Sequence, residues 1–148
     1  MLVRGRYADK PCRYEVYDLR TSLLIVDTQV VVHAYIGDVP LSRKVYALLS
    51  NPDVLPLMSA ISLMEIAMKH EAGKLKMGAT ETRQAIRDLR LQVIPFAPDH
   101  AFRLYGLPPH HRDPFDRMLI ATALAEDIPL IGSDRQFKKY KGLKVIWR

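Results

Sequence analysis

The sequence contains a single cysteine, Cys12. That excludes an intrachain disulfide, and with it the disulfide-stapled secreted scaffolds, so a reducing, cytoplasmic setting is expected. No apolar run approaches the roughly 18 residues that a membrane-spanning helix needs, so no membrane role is expected. The opening stretch MLVRGRYADKPCRYEVYD carries charge throughout and no apolar core segment, so it does not read as a secretory signal. No glycine-rich loop follows any apolar segment, which disfavours a phosphate-cradling nucleotide site. No Cys/His spacing offers a zinc site. There is no internal repeat and no low-complexity tract.

What is present suits one domain with a real core: 148 residues, 49% of them apolar. Twenty-two basic residues against sixteen acidic ones give a formal net charge of +6. Such an excess favours polyanionic partners such as nucleic acid, simple solubility being the plain alternative. Its distribution is informative. After Asp134 come Arg135, Lys138, Lys139, Lys141, Lys144 and Arg148 with no acid, interleaved with Phe137 and Tyr140. That is either a phosphate-facing surface or a solvated C-terminal face.

Residues 1–22 are polar, mixed in charge and weakly periodic, and are read as an N-terminal extension with a short strand around RYEVYDL. The domain proper is expected over 23–148. There the chain alternates between two kinds of segment. LLIV (23–26), VLPLMS (54–59), LQVIPF (91–96), PLIG (129–132) and KVIW (144–147) read as short buried strands. Helical periodicity covers 41–49, 60–72, 80–90, 98–105 and 114–126. Strands alternating with helices of this length need crossover connections, so the fold class is α/β with a parallel sheet of about five strands flanked by helices.

In such sheets function collects beyond the carboxyl ends of the strands. Asp27 closes LLIVD and Asp134 closes PLIGSD. Asp116 stands in the first turn of the helix that feeds the strand before Asp134. Glu65 is the one acid between residues 54 and 70, within ISLMEIAMKH. Each has a structural explanation. Asp113-Pro114 is a helix cap followed by a first-turn proline, and Asp116 then complements the helix dipole. Ser62-x-x-Glu65 and Ser133-x-x-Gln136 match capping boxes, the latter leaving Asp134 a bystander. Glu65 and Lys69 form an i,i+4 pair, and Asp27 can cap the helix after the first strand.

Together these acids imply more. Asp27, Glu65, Asp116 and Asp134 are expected near one end of one sheet, where they repel and raise one another's pKa. A divalent cation between them would keep them ionised, and oxygen ligands select Mg²⁺ or Mn²⁺ over Zn²⁺. Such an ion suits phosphodiester chemistry. Arg112, His110 and His111 would line the rim, where a phosphate backbone can approach. A response-regulator receiver is disfavoured, because VDTQ offers one acid where that fold wants a pair, and Lys144 precedes its strand.

Four segments carry a family resemblance: LLIVDTQVVVHA, SAISLMEIAMKHEAGKL, LPPHHRDPFDRMLIATAL and IPLIGSDRQFKKY. In this order and spacing, over roughly residues 23–147, the chain resembles a PIN domain of the VapC type, the toxin of a toxin–antitoxin pair. The third segment is the most specific. The resemblance implies a parallel sheet with acids gathered around Mg²⁺ or Mn²⁺. It also implies an endoribonuclease leaving 5′-phosphate and 3′-hydroxyl ends, a cognate antitoxin and a homodimer. Carried over, the catalytic and metal-holding acids are Asp27, Glu65, Asp116 and Asp134, with Asp113 a cap or secondary acid. Arg112, Arg117, His111 and Ser133 are the expected substrate contacts. The chain departs from the pattern at Gly132, where many relatives have Thr, and at Gln29, where His, Ser or Asn is usual. The competing reading is a catalytically silent module on the same scaffold that binds RNA or protein.

Overall fold

The computed structural model describes residues 22–148. Apart from Ser22, the expected extension, its strand around RYEVYDL and Cys12 lie outside the described residues. Five strands form one wholly parallel sheet: β1 (Ser22–Val26), β2 (Val54–Ser59), β3 (Gln92–Ile94), β4 (Leu130–Ile131) and β5 (Val145–Ile146). Their spatial order is β3-β2-β1-β4-β5. Six α-helices connect them: α1 (Thr28–Ile36), α2 (Arg43–Ser50), α3 (Ala60–Glu71), α4 (Ala79–Asp88), α5 (Pro98–Phe102) and α6 (Pro114–Glu126). A 3-10 helix covers Arg135–Lys139.

Alternation along β1 sets up two cores. Leu24 and Val26 face a cluster with Val30, Val45, Met58 and Ile66. Ile25 faces the opposite cluster with Leu57, Leu119, Ile120 and Phe137. The sheet is thus buried on both faces, as parallel sheets must be. Proline is unusual in an interior strand because it cannot donate to the ladder. Pro56 is accommodated because β3 begins opposite Leu57, so at Pro56 only β1 lies alongside.

The strands and the five periodic helices fall where the sequence predicts them, with ends that shift by a few residues in either direction. The helix after the first strand, α1, escapes a periodicity reading because Val30, Val31 and Val32 are all buried, and such a β-branched run looks like strand. Both capping boxes are corrected. Helix α3 begins earlier, with Ser59 accepting from the Ile61 N–H. That leaves Ser62 and Glu65 inside the helix, and the Ser62 hydroxyl accepts from Thr28 Oγ1 at 2.9 Å. In the 3-10 helix the cap is Asp134 itself, accepting from the Gln136 N–H at 2.7 Å.

The chain passes from β1 outward to β2 and β3, then returns to add β4 and β5 on the other side of β1. The carboxyl ends of β1 and β4 therefore frame a topological switch point, the usual place for a ligand crevice. The Asp27 N–H donates to Ile131 C=O at 2.9 Å and ties those two ends together.

Candidate metal centre

Four carboxylates converge on this crevice from four elements. Asp27 follows β1 directly and occupies the N-cap position of α1, yet its side chain makes no capping hydrogen bond. Glu65 comes from the second turn of α3. Asp116 stands in the first turn of α6, whose cap is Asp113: Asp113 Oδ1 accepts from the N–H groups of Phe115 at 2.8 Å and Asp116 at 3.3 Å. Asp134 follows β4. The expected cap at Asp113 is thus present, and it aims Asp116 at the crevice.

The electrostatics reflect this convergence. Asp27 is 3% exposed. Its pKa is pushed up to about 8, first by burial, then by the charges of Asp116, Glu65 and Asp134, with the Thr28 N–H pulling the other way. Asp116 is raised to about 6, again first by burial; the His111 ring opposes the shift, and Asp113, Glu65 and Asp134 reinforce it. Glu65 is buried, with Oε1 held 2.5 Å from Lys69 Nζ. Burial works against the charge of Lys69, but Glu65, followed by Asp113 and Asp116, holds its pKa above the ordinary value. The i,i+4 pair read from the sequence is therefore part of the crevice.

Three buried side-chain oxygens lack hydrogen-bond partners among the described residues: Gln136 Oε1 and two carboxylate oxygens of the crevice, Asp27 Oδ1 and Glu65 Oε2. Buried polar atoms are rarely left so, and a bound ion is one of the standard reasons. The donor set, oxygen-rich and free of sulfur, fits a hard divalent cation. His111, Asp116 and Asp134 also present one potential ligand atom each, all within 4.8 Å of one another.

The expected substrate contacts divide into two groups. Arg112, Ser133 and His110 are exposed, as are Gln29 and the basic side chains from Arg135 to Arg148, of which Lys144 pairs with Asp127 at the amino end of the sheet, away from the crevice. Arg117 and His111 are engaged within the protein. The Arg117 guanidinium donates to the carbonyls of Pro108 (2.9 Å), Leu107 (3.1 Å) and His111 (3.3 Å), so it straps the loop ahead of α6. His111 Nε2 lies 3.0 Å from Asp134 Oδ2, with which it shares a hydrogen bond, and 3.0 Å from Asp116 Oδ2. A bond to a carboxylate 23 residues away leaves no local pattern in a sequence.

Gly132 has a steric role. A Cβ there would stand 2.6 Å from Phe137 Cε2 and 3.3 Å from Asp27 Cβ. The Phe137 ring, wholly buried, occupies the space a side chain at 132 would need.

A family model for the PIN domain matches residues 24–143. No curated protein is significantly similar to the chain. Among solved structures it resembles VapBC2 of Rickettsia felis, bound to a DNA fragment from its promoter, at 19% identity and TM-score 0.65, over 85% of this chain and 99% of that one. DNA-bound VapBC of Salmonella typhimurium gives 16% identity and TM-score 0.63, over 85% and 98% of the two chains. VapBC-5 of Mycobacterium tuberculosis, from the VapBC family of toxin–antitoxin systems, gives 19% and 0.56, over 86% and 99%. The sheet order, the acids at its switch point and the family match agree, and the chain belongs to the PIN domain family.

Proposed function

We propose that the protein is a metal-dependent endoribonuclease of the cytoplasm and the toxin of a toxin–antitoxin pair. The observation that carries this reading is the pair of unpartnered buried oxygens, Asp27 Oδ1 and Glu65 Oε2, within a group of four acids at the switch point of a PIN fold. Asp27, Glu65, Asp116 and Asp134 would hold Mg²⁺ or Mn²⁺. When bound, such an ion makes water a better nucleophile and neutralises charge on a phosphodiester.

The chain's own residues supply the rest. Lys69 occupies Glu65 Oε1 and leaves Oε2 buried and unpartnered. The N-termini of α1 and α6 direct their positive ends at Asp27 and Asp116 and offset part of the repulsion among the acids. Arg112 and the exposed basic side chains Arg135, Lys138 and Lys139 of the 3-10 helix after Asp134 would hold RNA phosphates, with the steep salt dependence such contacts bring. Arg117 orders the rim loop. Among the described residues no helix is long and apolar enough to cross a membrane.

An antitoxin partner is supported by the toxin–antitoxin system to which the VapBC-5 neighbour belongs. A homodimer is supported by large apolar side chains left exposed on and near two helices: Met64 and Met68 on α3, and Phe102 with Tyr105 at α5.

The test is incubation of a mixed RNA pool with purified protein in Mg²⁺, Mn²⁺ or EDTA, alongside Asp116→Asn. Cleavage that needs metal and is lost in the variant is the expected result. Salt-sensitive RNA binding without cleavage in any metal would point instead to a silent binding module.

A further inference from the structure

We propose that His111 is the positioning residue of the acidic crevice: a neutral imidazole that donates its Nε2–H toward Asp134 and Asp116, and serves a bound cation as an outer donor and not as a ligand. This rests on the metal-site reading above, and it decides between two roles for the imidazole that the distances to Asp116 and Asp134 leave open, ligand and outer donor.

The argument is a count of donors and acceptors. The Asp113 backbone N–H donates to His111 Nδ1 at 3.1 Å. Nδ1 must therefore present a lone pair. A neutral imidazole carries one N–H, so the proton is on Nε2. Nε2 is the atom that lies 3.0 Å from both Asp134 Oδ2 and Asp116 Oδ2. To ligate a cation through Nε2, the ring would have to move its proton to Nδ1, setting a second donor against the Asp113 N–H. The present arrangement fixes the opposite tautomer. A neutral donor between two carboxylates also lowers their mutual repulsion without adding a positive charge that would compete with a cation.

The rest of the residue is held just as firmly. Its backbone N–H donates to Tyr140 Oη at 2.8 Å, and its carbonyl accepts from Arg117. Its ring stacks on Phe137, with centroids 5.9 Å apart and planes at 27°. Phe137 sits there because Gly132 has no Cβ. A loop residue meant to brush passing RNA would not need both backbone groups, both ring nitrogens and the ring face engaged. This much fixation suits a group that must present one N–H at one place.

Three measurements test this. Long-range ¹H–¹⁵N NMR on the full chain reports which ring nitrogen of His111 carries the proton, without metal and at saturating Mg²⁺. The proton is expected on Nε2 in both states; a proton on Nδ1 in either state overturns the proposal. Pulsed EPR of the Mn²⁺-loaded protein is expected to show no directly coordinated nitrogen, and a bound nitrogen overturns it. Calorimetric titration with Mn²⁺ then compares wild type with His111→Ala and His111→Gln, each checked for folding by circular dichroism. Loss of an outer donor should weaken binding about 10–100-fold in His111→Ala, with most of it regained in His111→Gln, whose amide still donates. Wild-type affinity in the alanine variant, or no recovery in the glutamine variant, overturns the proposal. A wild-type chain that binds neither ion overturns the metal-site reading itself, while the metal-free tautomer still decides whether His111 is the donor.

Discussion

Two histidines in this protein use the same hydrogen bonds to different ends. In His100 the Ala97 N–H donates to Nδ1 at 2.9 Å, and Nε2 meets Glu126 Oε1 at 2.6 Å. In His111 the Asp113 N–H donates to Nδ1, and Nε2 meets Asp134. Both rings are therefore the Nε2–H tautomer. His100 is wholly buried between α5 and α6 and faces a single buried carboxylate. His111 keeps 11% of its side chain exposed and stands between two carboxylates at the mouth of a crevice. The first arrangement is closed and fastens two helices. The second leaves acceptor capacity on both acids, which is what a ligand site requires. Tautomer alone does not distinguish structure from chemistry; the number of acids and their access to solvent do.

The largest contrast should come from substituting each carboxylate. Asp116→Asn is expected to lower metal-dependent RNA cleavage by about 100-fold or more while the protein stays folded, on the scale seen when one electrostatic group of a catalytic site is removed. Glu126→Gln should leave cleavage near wild type. Equal losses in both would erase the distinction.

Stability should separate the two histidines in the other direction. His100→Ala removes a wholly buried ring together with its hydrogen bond to Glu126, and should cost on the order of 3 kcal/mol in urea unfolding. His111→Ala, nearer solvent, should cost on the order of 1 kcal/mol. A reversed order would mean that the crevice, and not the α5–α6 seam, is the structural centre.

Acidity provides a further contrast. A carboxylate with a raised pKa binds its proton more tightly when folded, so its contribution to stability is complete below about pH 4. That contribution is lost as pH rises through about 6 for Asp116 and about 8 for Asp27. The metal-free protein should therefore lose stability from pH 4 to 8, and Asp27→Asn should flatten that loss. Added Mg²⁺ should raise the melting temperature more at pH 8 than at pH 5, because a bound ligand stabilises in proportion to its affinity. Thermal melts across this range would test all three.

Gly132→Thr should cost roughly 1–3 kcal/mol by overpacking against Phe137. The smallest effect is expected on the rim, where Lys139→Ala should reduce the salt slope of RNA binding by about one phosphate contact and leave stability unchanged.

The fold was legible in the sequence because its strands are short apolar runs and most of its helices are amphipathic. Helix α1 was expected only as the helix after Asp27, and its extent was hidden by a run of valines that carries no helical period. The acids were legible because each stands at a strand end or in a first turn, positions the chain order alone assigns. Their local explanations were partly wrong, since Ser59 and Asp134, not Ser62 and Ser133, are the caps. The roles of His111 and Arg117 were not legible. Both looked like cationic rim residues, and only the folded loop shows their donors turned inward. His100 and Glu126 left no signal at all, because nothing local marks a histidine whose partner lies 26 residues away.

The missing Cβ at Gly132 has a consequence for how this protein can vary. Positions 132 and 137 share one volume, so neither can change freely while the other stays. With threonine at 132 the ring of Phe137 would have to turn away, and the histidine stacked on it would lose its wall. In this chain a side chain at 132 and the ring at 137 compete for the same space, so a hydroxyl near the acids would come at the expense of the aromatic floor beneath the imidazole.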